Sequence, residues 1–253
     1  MKNQSPRRRW WIRWLRLVIG VVAGLVVLIV VGTSIYVHLS TAPAMLALAR
    51  DAGSGTETSS GEATTDGVWK AGPGSLVGWR VQQELIGQLS PIVGRTDKVW
   101  GSITISGGKV SQGLFSVDMA AMTSSLSQTT RRTVFDVGTY PTATLALTSP
   151  IELGAIPADG SVERFPATGI LTMHGVSHPV RFTASAERAG DNINVLADIT
   201  FPYGNWNISA QGVPFLADLQ SPATIEVLLR LTQGAGNPAS VTSPGNSSAG
   251  GSQ

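Results

Sequence analysis

Two histidines four residues apart, His174 and His178 in HGVSH, offer the most chemistry in this chain. On a helix, i and i+4 would put both imidazoles on one face, where they could ligate a metal. Gly175 and Pro179 oppose that reading, because they favour strand–turn–strand, and no HExxH glutamate accompanies the pair. Turn polarity is the preferred reading, with a polar contact at a cavity end as the alternative. Arg131, Arg132 and Asp136 form a second candidate, either a contact for a polar head group or a solvated loop with exposed ion pairs. Serine, histidine and aspartate are all present, but no G-x-S-x-G elbow presents a nucleophile. Phosphate-cradling G-x-x-x-x-G-K-[ST] and G-x-G-x-x-G loops are missing too. The absence of cysteine removes disulfides, thiolate metal sites and thiol nucleophiles together. Neither catalysis nor a cofactor is expected.

Charge is distributed unevenly. Lys2, Arg7, Arg8, Arg9, Arg13 and Arg16 precede Leu17 without an acid among them, which leaves 12 basic against 16 acidic residues in the remainder. The net charge of +2 therefore belongs to the N-terminus. A nucleic-acid binder would spread basic residues over its folded part, so no nucleic-acid partner is expected.

From Leu17 to Val37 runs a stretch of 21 uncharged residues, LVIGVVAGLVVLIVVGTSIYV. As a helix it would extend roughly 31 Å, near the thickness of a bilayer core. Trp10, Trp11 and Trp14 stand where an interfacial aromatic belt belongs, and the basic cluster predicts a cytoplasmic N-terminus. A retained single-pass signal anchor is the preferred reading. The alternatives are a signal peptide cleaved near Ala42 and Ala44, and a buried helix. This organisation gives a basic segment (1–16), an anchor (17–37), a linker (38–67), a folded domain (68–233) and a polar tail (234–253). The linker reads as a flexible Gly/Ser/Thr spacer, with a possible helical turn over Ala44–Arg50.

The folded part alternates apolar and polar residues over eight segments. Their apolar positions are Val77, Trp79 and Val81; Val99, Ile103 and Ile105; Phe115, Val117 and Met119; Leu145 and Leu147. They continue with Leu171 and Met173; Val180, Phe182 and Ala184; Ile193 to Phe201 through Ile199; and Ile225, Val227, Leu229 and Leu231. An all-β, antiparallel domain follows, with room for a helical excursion only between Ala120 and Val137. Alternation is compatible with a closed barrel or a two-sheet sandwich, and with a hollow or a packed interior.

Several motifs occur in an order that resembles the YceI-like family of lipid- and polyisoprenoid-binding proteins. They are SLVGWRV, with Trp79 at an aromatic position; VWGSITI; VFDVGTYPTATL, through Phe135, Asp136, Tyr140 and Pro141; and TGILTMHGVSHPVRF. In the last, Gly169, Leu171, Thr172, His174, Gly175, Val176, Pro179 and Val180 carry the likeness. The chain departs in having Arg131-Arg132-Thr133 where an Arg-Asp pair is usual, a shorter connection there, and Leu145 where an aromatic is common. The resemblance implies an eight-stranded lipocalin-like barrel, here preceded by one transmembrane helix, that encloses a long-chain apolar lipid of isoprenoid or acyl type. The expected lining is Val77, Trp79, Val81, Ile103, Ile105, Phe115, Val117, Met119, Leu145, Leu171, Phe182, Ile199, Phe201, Val227 and Leu229. The expected setting is the cell membrane, with the barrel outside the cytoplasm. A filled barrel that binds another protein is the rival expectation.

Overall fold

The computed structural model describes residues 16, 18–32, 43–48, 65–85, 87–124, 126–154, 160–209, 219 and 221–234. The basic segment before Arg16, most of the linker and the tail from 235 lie outside the described residues, as does the end of the expected anchor.

The first described element is α1, a helix over residues 18–32. Its large apolar side chains from Val18 to Val31 are all at least 46% exposed. Among the described residues no helix is long and apolar enough to cross a membrane. The sequence stretch expected to do so continues to Val37, beyond the described part of the helix.

Among the described residues the domain contains twelve strand segments in one antiparallel sheet. They are β1 (Gly67–Ala71), β2 (Leu76–Leu85), β3 (Gln88–Thr96), β4 (Val99–Ser106), β5 (Lys109–Asp118) and β6 (Thr123–Ser124), then β7 (Thr142–Leu147), β8 (Ile151–Glu152), β9 (Glu163–Met173), β10 (Val176–Ala189), β11 (Asn192–Phe201) and β12 (Ala223–Gly234). The pairings reduce these twelve to eight long staves. β1 and β2 both pair with β12, and β7 and β8 both pair with β5. β1 pairs with β4 and β2 with β3, so β3 and β4 are likewise halves of one stave. β5 continues into β6 in the same way. Each stave pairs with the next in sequence, and β12 returns to β1, closing an eight-strand barrel. Closure leaves no long unpaired edge. The eight segments expected from alternation fall one in each stave. The structure adds their second halves, β1, β3, β6 and β8.

Tight turns fix the register. Gly107 and Gly108 connect β4 to β5, both with positive φ (59° and 72°), as a two-residue hairpin turn of matching twist requires. His174 and Gly175 do the same between β9 and β10 at 52° and 72°. Between β6 and β7 lies α2 (Gln128–Phe135). Ser127 caps its N-terminus by accepting the Thr130 amide at 3.1 Å, and Asp136 ends it in a left-handed conformation.

One end of the barrel carries α2, the β2–β3 and β9–β10 hairpins and the β11–β12 connection; this is the cap end. The other, the foot, carries the β4–β5 and β10–β11 hairpins. Apolar side chains form two packed clusters. One gathers Trp79, Met122, Val134, Phe201 and Trp206 under the cap. The other gathers Trp69, Ile105, Phe165, Ile193 and Leu231 at the foot.

On the outer wall Glu226 of β12 is fully buried, although outward positions on a barrel normally face water. Arg80 and Arg95 bracket it, at 2.6 Å from Oε1 and 2.9 Å from Oε2. Arg80 also donates to the Pro43 carbonyl at 2.8 Å, and Arg95 donates to the Ala44 carbonyl. Residues 43–48 thus lie as a strap against the wall. Leu46 and Leu48 are half-buried, while Met45 and Ala47 between them are exposed. The helical turn anticipated over Ala44–Arg50 is not formed across residues 44–48, because side-chain alternation and the two arginines favour an extended course; Ala49 and Arg50 lie outside the described residues.

Asp198 stands beside Glu226 across the β11–β12 pair. Burial, then the Glu226 charge, raise its pKa above 3.8, against the opposing pull of Arg80. A raised carboxylate pKa contributes stability below the unfolded value and loses it as pH rises through the folded one. Asp198→Asn is therefore expected to be more stable than the parent at pH 7, with the gain vanishing as pH falls below 3.8. Urea titrations at a series of pH values check this; a gain that grows on acidification contradicts it.

Candidate functional site

Inside the barrel lies an apolar cavity of about 170 Å³. On the scale where one water needs about 10–15 Å³, it admits roughly a dozen water-sized spheres. Its lining runs from Ile193, Val110 and Leu231 at the foot to Val134, Ile208 and Leu219 under the cap, so the space is long and axial. All fifteen residues expected to line an interior do line it. Ile103, Phe115, Leu145, Phe182, Val195 and Val227 point inward yet remain half-buried. They form a belt at the waist, between the two packed clusters, where the walls stand apart. Among the described residues no charged side chain lines the cavity. It can take up an apolar chain, with about 0.8 kcal/mol gained per buried methylene, less the cost of ordering the chain.

Loops supply lining that periodicity does not reveal. Val134 and Phe135 reach in from α2, with the Phe135 ring 5.0 Å from that of Trp79. Met122, Leu126, Tyr203, Ile208 and Leu219 come from connections. Trp206, in a 3-10 turn over Tyr203–Trp206, is 2% exposed and donates its indole N–H to the Leu171 carbonyl at 3.1 Å. An indole in an otherwise polar connection is the one sequence signal that it packs inward.

The two histidines hold this turn down. His174 Nδ1 lies 3.0 Å from the Trp206 carbonyl oxygen, and His178 Nε2 lies 2.9 Å from that of Asn205. Each ring donates to its carbonyl. His178 also meets the Trp206 ring edge-on at 4.9 Å, and Tyr140 meets His174 in the same way at 5.0 Å. Among the described residues no group of three or more His, Cys, Asp or Glu could hold a metal. The HGVSH and FDVGTYP motifs therefore meet at the cap end as polar fastenings. Asp136 ends α2 and its carbonyl accepts the Tyr140 amide at 2.8 Å. Arg131 and Arg132 sit on the same helix, Arg132 in its last turn.

His178→Ala removes one hydrogen bond and one ring contact, about 1 kcal/mol of local stability. We expect amide exchange across Tyr203–Trp206 to quicken about fivefold while exchange in β11 and β12 is unchanged. Equal acceleration everywhere would show that the turn is not a separately fastened element.

A closed up-and-down barrel around an axial apolar cavity defines the class of lipocalin-like binding folds. Within it the chain belongs to the YceI-like domain family, whose model matches residues 71–231. A polyisoprenoid binding domain from Saccharophagus degradans, implicated in plant cell wall breakdown, superposes with a TM-score of 0.54 at 13% identity, covering 66% of this chain and 98% of that one. BcnA from Burkholderia cenocepacia gives 0.48 at 18% identity, covering 62% and 95%. No curated protein matches the chain in sequence.

Proposed function

We propose that the protein is a membrane-tethered, extracytoplasmic carrier that holds one long-chain apolar lipid, of isoprenoid type, inside its barrel without transforming it. The observation that carries this reading is the axial cavity, apolar over its whole length from cap to foot. The Saccharophagus degradans structure, named as a polyisoprenoid binding domain, supports the isoprenoid class. The tether rests on the sequence. α1 exposes only apolar side chains from Val18 to Val31, the uncharged stretch continues to Val37, and basic residues precede it. Such a surface is stable in hydrocarbon and costly in water.

Native mass spectrometry of the full chain, released from a non-ionic detergent micelle, tests the proposal. One isoprenoid molecule per barrel is the expected result. An empty barrel whose tryptophan fluorescence also ignores added quinones, polyprenyl phosphates and fatty acids would overturn it.

A further inference from the structure

The cavity has a depth that can be set against the length of a lipid chain. On β11 its lining runs from Ile193 to Phe201, eight residues further along the strand. Eight residues of strand span about 27 Å, and a stave tilted by about 40° carries that to about 20 Å along the barrel axis. A hydrocarbon chain advances about 1.25 Å per carbon, because bonds of about 1.5 Å meet at about 111°. The depth therefore suits an extended chain of about 16 carbons. The volume of about 170 Å³ admits roughly a dozen waters, and a methylene is close to a water in size. Depth and volume together point to roughly 12 to 16 carbons, or about three isoprene units.

At the foot this space meets a built floor. Ile105, Ile193 and Leu231 form the last part of the lining there, and none is more than 2% exposed. Beyond them, and not itself part of the lining, lies Trp69 of β1, equally buried and packed in the same cluster. Trp69 pairs with Gln233, two residues past Leu231 towards the foot end of β12. It also pairs with Ile103, a lining residue, and directly opposed residues share a face. The indole therefore sits inside the barrel, under the lining. Its N–H donates to the Thr65 carbonyl at 2.7 Å. Thr65 and Asp66 are held in turn. The Asp66 carboxylate accepts the Gly107 amide at 3.1 Å, and its carbonyl accepts from the Gln233 side chain at 3.1 Å. A large buried ring, with its one donor paired to a fastened segment, is a stiff stop.

We infer that Trp69 is the floor of a chain-length gauge: the barrel buries roughly 12 to 16 carbons of its lipid, tail against the foot, and leaves the rest of a longer chain outside at the cap. The inference rests on the carrier reading above and specifies the length of chain that the barrel selects. Up to that length each further methylene tightens binding by about fourfold at most. A carbon beyond it gains nothing, because no apolar wall remains to take it out of water.

The full chain in non-ionic detergent is incubated with an equimolar mixture of fatty acids of graded length, and separately with prenyl alcohols of graded length. Native mass spectrometry reads which members are held. Parent and variants meet the same micelles, so partition into detergent cancels in their comparison. Trp69→Ala lowers the floor, and the ratio of longer to shorter chains bound should rise at least tenfold over the parent, as about two more buried methylenes require. Ala186→Leu fills space in the foot cluster, where Ala186 lines the cavity, and should lower that ratio at least fourfold, as about one fewer buried methylene requires. An unchanged ratio in a Trp69→Ala protein that urea denaturation shows to be folded overturns the role of Trp69. If Trp69→Ala does not fold, Ala186→Leu decides: an unchanged ratio overturns the gauge. A parent that captures no member of either series overturns the carrier reading, and the gauge with it.

Discussion

Ala184→Phe should weaken lipid binding about a hundredfold and leave the fold intact. Ala184 lies on β10, lines the cavity and is only half-buried, so open space stands before its methyl group. Its neighbours across the sheet are Phe165 and Ala197. A phenyl ring directed into the waist occupies the room of roughly four methylenes of ligand, each worth about 0.8 kcal/mol. The loss is about 3 kcal/mol, or two orders of magnitude in Kd. Filling an existing void should shift stability by no more than about 1 kcal/mol. Fluorescence titration with a long-chain quinone measures the first quantity and urea denaturation the second. Undiminished affinity with an intact fold would place the lipid elsewhere.

Glu226→Ala should destabilise the barrel by about 3 kcal/mol, the usual scale for removing one partner of a buried ion pair. The fully buried carboxylate holds Arg80 and Arg95 together. Without it, two guanidinium groups face each other on a wall covered by the strap. Glu226→Gln keeps the shape and removes the charge. It should also lower the Asp198 pKa, since the Glu226 charge is one of the two causes that raise it. Urea denaturation measures the stability loss, and carboxyl-carbon NMR follows Asp198. A loss under 1 kcal/mol for Glu226→Ala would show that the cluster is solvated.

The staves were legible because their inner faces are apolar without interruption. Ile193, Val195, Ala197, Ile199 and Phe201 on β11 show this most plainly. β3 was not legible: QLSPIVGRT holds Pro91 and places Ile92 and Val93 side by side, so no clean alternation appears. β6 and β8 are two residues each, too short for any period. The lining was read only in part on the strands, where Ile92 of β3, Ile151 of β8 and Phe165 of β9 were left out. It was missed wherever it came from α2 or the Tyr203–Trp206 turn, because a cap packs by reach rather than by repeat. Nothing in HGVSH indicates that its two imidazoles would close on successive carbonyls some 30 residues away. The strap was equally hidden, since its hold uses the backbone carbonyls of Pro43 and Ala44, which every sequence has.

The breaks in the staves are not spread evenly. β9, β10, β11 and β12 pair with one another without interruption, while the four staves before them are each broken, the first two near mid-length and the next two just before their short last segments β6 and β8. The barrel thus has a stiff half and a jointed half. Unbroken ladders resist shear and bending; a wall of short segments can widen at its joints while its hydrogen bonds stay made. The container is therefore compliant on one side only. A bulkier cargo would be accommodated by movement of β1 to β8, with the opposite wall, β9 to β12, serving as the fixed frame.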